Sequence, residues 1–376
     1  MINFFSLLIF LSILHSSYDQ EVDIAINQLY NFEIEQAINS LELLSVKYPK
    51  DPLIPFLKIS SYWQQSLLYE DPEASYEIIN NGIRDLIPFY LDMIEKYSEN
   101  QHYKLFLGSL YGLKARIHLA KSEWMSLIVS GAKGFKYIKD ALSEDPYLYD
   151  AYMPIGTLEY VLCRSGKPLQ LIGEVFGLKS DCTNAITKLE FAADSSKYSW
   201  IESKNVLSYI YLYAEKDFSK ALKHSSTLSN EFPGHPFFAY LEAESLVRLE
   251  RYEDFNLKNR KLIRFYQEGP VNQRSECYDK YLYLKALRFY QKENYDRAII
   301  YCNEVISEYD TEFQWILGYV HLIKGKSHEM LGDRSTAIYD YQMAAKYLNN
   351  WPDQEYAQEL IRRPLSENYK TDKTTD

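Results

Sequence analysis

The chain has 376 residues, with 41 Lys plus Arg against 52 Asp plus Glu, a net charge of −11 and an isoelectric point near 5.3. A quarter of the residues are charged and 47% are apolar, the balance of a folded protein rather than a disordered or membrane-embedded one. Only 14 Gly and 13 Pro speak against a turn-rich all-β fold and for helices, and the acidic balance makes nucleic acid a poor general partner. The 35 Tyr and 18 Phe suit long helix–helix interfaces that are wet at one edge.

At the amino terminus, Ile2 to Leu14 form an apolar run broken only by Asn3, Ser6 and Ser12. A membrane-spanning helix needs roughly 20 apolar residues, so the run is too short. With Ser16 and Ser17 behind it and Asp19 and Glu21 following, it reads as a secretory signal peptide over 1–17. No Lys or Arg precedes it and His15 is a poor residue at its place before the cleavage site. No later segment is apolar enough to span, so the expectation is an exported chain, periplasmic or associated with the cell envelope, with no integral span after signal removal.

The next segment carries Ala37, Leu41, Leu44 and Pro49 at helical spacing. Residues 72–145 are long apolar-periodic stretches with few breaks, which predicts elongated helices there. Gly112 and Ala115 are the expected small residues of one of them, with Gly131, Gly134 and Ala141 in its partner. Residues 164–180, with their Gly and Pro, read as an irregular insertion, a loop with a short helix. Farther on the chain repeats itself. Phe218, Ala221, Leu228 and Pro233 in one stretch answer to Ala243, Leu246, Tyr252 and Phe255 in the next, then to Ala286, Phe289, Tyr295 and Ala298. Gly325, Gly332, Ala337, Tyr341 and Ala344 complete the series. The tail 364–376 has almost no apolar content and is expected to be disordered.

These spacings resemble the tetratricopeptide repeat, a helix–turn–helix unit of about 34 residues in which small residues let the two helices of a pair approach. They predict an all-α fold, a right-handed α-α superhelix of roughly 16 to 18 helices over 18–363, each pair covering the apolar face that its neighbour leaves open. Between residues 110 and 255 the match is more particular. Gly134, Asp145-Pro146, Asp150-Ala151, Gly156, Tyr160, Ala192-Ala193, Lys216-Asp217 and Pro233 are similar to exported bacterial tetratricopeptide proteins. Those are distantly similar to the inclusion-body-clearance and tetratricopeptide repeat protein 39 family. The resemblance implies a fold more than an activity, and Cys163-Arg164 departs from it where relatives carry further aromatics.

Catalytic patterns are sparse. His321 and His328 lie seven apart, but His328-Glu329 does not continue to H-E-x-x-H, and the glycines around Gly131 and Gly134 lack the order that cradles phosphates. No metal site and no cofactor are expected: the four cysteines have no C-x-x-C spacing. Cys163 and Cys182 flank the predicted insertion, and whether they bridge stays open at this point; Cys302 reads as a buried thiol. Lys258, Arg260, Lys261 and Arg264, with Arg248 and Arg251 upstream, make a basic stretch that is either a solvated face or a docking face for an acidic peptide or lipid headgroup.

The expected function is a non-catalytic scaffold that binds a protein or peptide partner on its concave face. In the repeat pattern certain first-helix positions face inward, and here they include Tyr213, Tyr240, Glu244, Arg248, Tyr283, Tyr290, Lys326 and Glu329. Rigid rings with interspersed charges suit peptide recognition. On this reading Tyr240 and Arg248 face solvent until a partner docks, and replacing both by Ala should spare the fold. Two alternatives stand beside it. One is apolar-ligand or lipid handling inside an aromatic-lined superhelix. The other is an enzyme with a site in the irregular middle, around Glu159, Arg164, Lys167 and Glu174.

Overall fold

Apolar side chains recur every three or four residues along the chain, and helices form wherever they do. The computed structural model describes residues 18–365 except 122, 310, 312, 313 and 350. The signal peptide read at 1–17 and most of the tail, 366–376, lie outside the described residues. Among the described residues the fold is all-α, built from antiparallel helix pairs of tetratricopeptide type in two compact units.

The first unit runs to Lys204 and includes Phe232–His235. It contains α1 (18–30), α2 (Ile34–Lys47), α3 (Ile54–Tyr69), α4 (Pro72–Lys96), α5 (His102–Ala120), α6 (Trp124–Glu144), α7 (Tyr152–Arg164), α8 (Lys167–Val175) and α9 (Cys182–Ser195). Helix α4 starts sharply because Pro72 sits in its first turn and the Asp71 carboxylate accepts the Ala74 N–H at 2.9 Å. Helices α5 and α6 touch backbone to backbone: a Cβ on Gly108 would stand 2.7 Å from the Gly134 carbonyl oxygen, and one on Gly134 would stand 2.7 Å from that of Gly108. The sequence points to Gly112 on α5 with Gly131 and Gly134 on α6; Gly134 does make the contact, whereas a Cβ on Gly112 or Gly131 would meet open space. The crossing therefore falls one turn earlier along α5.

The tyrosines explain themselves here. Tyr18, Tyr90 and Tyr103, from three different helices, send their hydroxyls to the α2–α3 loop. The acceptors are the Asp51 carboxylate, the Pro52 carbonyl and the Lys50 carbonyl respectively. Each ring fills apolar space while its polar tip pairs with a loop group that no helix ladder satisfies.

The second unit holds the end of α10 (Trp200–Tyr209), a π-helical turn at Ile210–Ala214, α11 (Phe218–Glu231), α12 (Pro236–Arg248), α13 (Tyr252–Glu268), α14 (Val271–Gln291), α15 (Tyr295–Glu308), α16 (Trp315–Met330), α17 (Arg334–Tyr347) and α18 (Gln354–Arg362). The small residues that set the repeat register, Ala221, Ala243, Ala286, Ala298 and Ala337, are all fully buried. In the α16–α17 pair, a Cβ on Gly325 would stand 2.7 Å from the Tyr341 ring and 3.2 Å from the Ala337 carbonyl oxygen.

The turns inside the pairs recur as well. Phe32, Glu250, Glu293 and Gly332 each take a left-handed conformation, with φ of 62°, 58°, 57° and 87°. Each is followed by an N–H that reaches back to close the preceding helix: Glu33 to Gln28, Arg251 to Leu246, Asn294 to Phe289 and Asp333 to His328, all at 2.9 Å. This is the Schellman termination, which satisfies carbonyls that the helix end leaves open. Only one of the four is a glycine, so the others carry a backbone cost of roughly 1–2 kcal/mol each.

Candidate functional site

The first helices of successive pairs in the second unit, α12, α14 and α16, pack on one another and form a common wall. Helix α12 is buried nearly all round, and residues four apart on it share a face. That spacing aligns Tyr240, Glu244 and Arg248. The π-turn before α11 adds one residue to the helical turn and brings Tyr213 toward the same place. A buried carboxylate is thereby surrounded by donors. Glu244 Oε2 accepts the hydroxyls of Tyr213 and Tyr240, the latter at 2.5 Å, and those two oxygens lie 2.8 Å apart. Glu244 Oε1 accepts Arg248 Nε at 3.2 Å, Arg248 Nη2 at 3.0 Å and the Tyr283 hydroxyl at 2.9 Å. Arg248 Nη2 also donates to the Tyr283 oxygen at 2.8 Å. Burial first, then the nearby Glu244 carboxylate, raises the Tyr213 and Tyr240 phenols well above their ordinary range. Burial does the same for Tyr283, against the opposing pull of Arg248.

A second layer adjoins this cluster. Tyr319 of α16 packs 5.2 Å from the Tyr213 ring and donates to Asp353 Oδ2 at 2.9 Å. Lys216, just past the π-turn, donates to Asp353 Oδ1 at 2.7 Å. Trp351 stacks on Trp315 at 5.1 Å and stands edge-on to Tyr213 at 6.1 Å. The segment leading into α18 therefore lies across the wall rather than beside it. Lys326 reaches over the Tyr356 ring, its ammonium 4.6 Å from the centroid, and has no ion-pair partner among the described residues. Burial lowers its pKa to about 8; Arg248 and Lys216 push the same way and Asp353 opposes them.

Of the eight residues singled out in the sequence, five meet in one cluster: Tyr213, Tyr240, Glu244, Arg248 and Tyr283. Lys326 borders it. The expectation of an open face needs correction for four of them: Tyr213 is 2% exposed and Tyr240, Glu244 and Tyr283 are fully buried. They contact one another, not solvent, so Tyr240→Ala with Arg248→Ala would remove core and cannot spare the fold. Their burial follows from the π-turn and from the Trp351–Tyr356 segment, which cover them. Arg248 and Lys326 stay partly exposed at the edge. Tyr290 and Glu329 belong to a neighbouring group: Tyr290 packs on Tyr295, while Glu329 accepts Tyr341 at 2.6 Å and Arg334 at 2.8 Å. The sequence reading missed Tyr319, Trp351, Asp353 and Tyr356, whose part depends on how the chain returns after α17.

The residues weighed for catalysis do not converge. Glu159 is buried, paired with Lys188, and accepts the Lys179 N–H; Arg164 lies over the Tyr160 ring and Glu174 accepts Ser180. The basic stretch is largely engaged: Lys258 pairs with Glu242 at 2.8 Å, Lys261 donates to the Ser229 carbonyl and Arg251 pairs with Asp254. His321 is buried, with Nδ1 2.8 Å from Asp340 and its ring stacked on Tyr347. Cys163 and Cys182 form a disulfide, while Cys277 and Cys302 are buried free thiols. Burial pushes the Cys277 thiol up to about 12. Among the described residues no group of His, Cys, Asp and Glu could hold a metal ion. A pocket of about 230 Å³ in the first unit is lined by Asn80, Ile83, Arg84, Ile87, Pro88 and Lys114, and Arg84 pairs with Asp85 at 3.2 Å.

Fold and wall together define an all-α protein of tetratricopeptide-like helix pairs with a ring-rich, internally bonded face. No family model matches the chain, and no curated protein matches it. Among solved structures, the TPR domain of P58(IPK) aligns over 93% of this chain and 98% of that chain at 12% identity, with a TM-score of 0.26. That superposition is too loose to carry an argument about partner or mechanism.

Proposed function

We propose that the protein is a non-catalytic scaffold, exported to a periplasm or cell envelope, that binds a protein or peptide partner along the α12–α14–α16 wall. The observation that carries this reading is the wall itself. A rigid floor of tyrosines locked on Glu244 supports an edge where Arg248, Lys326, Tyr290 and Glu329 are partly exposed. Such an edge offers cations and rings at low entropic cost to an extended acidic peptide. The Cys163–Cys182 disulfide supports export, since such bonds persist in oxidising compartments.

Panning a random peptide library against the full chain and measuring the enriched peptides by fluorescence anisotropy tests the reading. Lys326→Glu should weaken them about tenfold or more, in line with a 1–2 kcal/mol anchor. Lys58→Glu, on the first unit, should leave them unchanged. Equal affinity for both variants, or no enrichment at all, would sink it.

A further inference from the structure

The insertion between α7 and α9 is an anomaly of the repeat. Helix α8 is an extra element, closed off by the Cys163–Cys182 disulfide at its base. Its inner side is well seated. A Cβ on Gly173 would run into the Leu162 side chain, so α8 lies close against α7 there. The Gln170 amide donates to the carbonyls of Cys163 and Ser165, and Leu178 joins the core of the first unit. The outer side has no such partners. Leu171 and Val175 are 62% and 83% exposed, and Phe176, Leu169 and neighbouring Val161 are exposed as well.

Lys167, Leu171 and Val175 fall four apart, so one outer stripe of α8 carries a cation followed by two bare apolar tips. Exposed cations ring it: Lys139, Arg164, Lys167 and Lys179, against the carboxylates of Glu174 and Asp181. Glu174 already accepts Ser180, and Asp181 caps α9. This local excess of positive charge stands out in a chain of net charge −11.

Apolar tips set among hydrated cations match an anionic bilayer surface, where the tips enter the headgroup–acyl boundary and the cations meet lipid phosphates. A protein interface is the poorer match. Nine residues of helix are about 14 Å long and 10 Å wide, well short of the roughly 800 Å² that each partner of a standard interface contributes. Among the described residues no helix is long and apolar enough to cross a membrane, so the contact would be peripheral.

We infer that the disulfide-closed α8 finger is a docking site for anionic lipid surfaces, with Leu171, Val175 and Phe176 as the inserting tips and Arg164, Lys167 and Lys179 as the headgroup contacts. It is independent of partner binding on the α12–α14–α16 wall.

Flotation of the oxidised full-length chain with phosphatidylcholine vesicles, with and without a third of phosphatidylglycerol, tests it. Binding should appear on the anionic vesicles and weaken with salt. Lys167→Gln with Lys179→Gln should lower partitioning about tenfold or more, because each cation near the surface is worth about a fivefold change. Leu171→Asp with Val175→Asp should abolish it. Both pairs of side chains are exposed, so melting curves should match the wild type and separate lost docking from lost fold. Cys163→Ser with Cys182→Ser should also weaken docking, by freeing the finger. Equal binding to neutral vesicles, no flotation with either, or unchanged flotation of the Asp variant would each overturn the inference. So would loss of a captured protein partner by the Asp variant without vesicle binding.

Discussion

Replacing Glu244 by Ala puts the largest testable load on the buried cluster. The carboxylate is fully buried and takes the hydroxyls of Tyr213, Tyr240 and Tyr283 together with two guanidinium N–H groups of Arg248. Removing one partner of a buried ion pair costs about 3–5 kcal/mol, because the other charge stays desolvated and unpaired. For a unit of this size each kcal/mol moves the melting temperature by roughly 2–4 °C, so Glu244→Ala should lower the melting of the second unit by about 6–20 °C. Replacing both charges is a different perturbation. Glu244→Leu with Arg248→Met leaves no orphaned charge and keeps most of the volume; it still strands the three tyrosine hydroxyls, so it should cost clearly less than the two single changes summed, without reaching the wild type. Urea unfolding followed by circular dichroism, completed as a double-mutant cycle, gives the coupling directly. The reasoning is refuted if Glu244→Ala costs less than about 1 kcal/mol, or if the double variant costs the sum of its parts.

Other outcomes follow from the same geometry. Lys326 binds its proton less tightly folded than unfolded, so the unfolded chain holds more protons between pH 8 and 10.5 and stability rises with pH across that window. Above pH 10 the buried tyrosines, whose pKa values are raised, act in the opposite sense. Lys326→Met should flatten the rise and add on the order of 1–3 kcal/mol at pH 7, read by urea midpoints from pH 7 to 10. His235 is buried and its pKa is lowered to about 3 by desolvation, so the first unit should lose stability as pH falls from about 6.5 toward 3, and His235→Gln should shift acid unfolding to lower pH. Glu250→Gly and Glu293→Gly relieve left-handed strain and should each raise stability by up to about 1 kcal/mol; a loss in thermal melts would count against those turns. Ala337→Leu should cost about 1–3 kcal/mol by overpacking against α16, and an unchanged melting curve would contradict the close approach at Gly325.

The helical period and the repeat register were legible because both rest on local spacing. Ala221, Ala243, Ala286, Ala298 and Ala337 sit at the tight positions that their offsets implied. Where two residues satisfied the same local rule, spacing could not choose. Gly108 and Gly112 lie one turn apart on α5, and only the approach of α6 selects Gly108. The pair turns were harder to see, since Phe32, Glu250 and Glu293 hold a conformation that usually announces itself by glycine. At the candidate site, repeat positions brought Tyr213, Tyr240, Glu244, Arg248 and Tyr283 together, yet not their closure. That closure depends on a π-turn with no compositional mark and on Asp353 meeting Lys216 and Tyr319 from the far end of the unit.

The bond from Lys216 to Asp353 joins positions 137 residues apart. A loop of that length is costly to close and slow to form, so the pairs between must stack before the two ends can meet. Any growing or truncated chain that stops short of Trp351 therefore carries the α12–α14–α16 wall uncovered, with Tyr213, Trp315 and Tyr319 lacking the rings and carboxylate that shield them here. A carboxy-terminal deletion would expose a sticky aromatic face rather than shorten a tail.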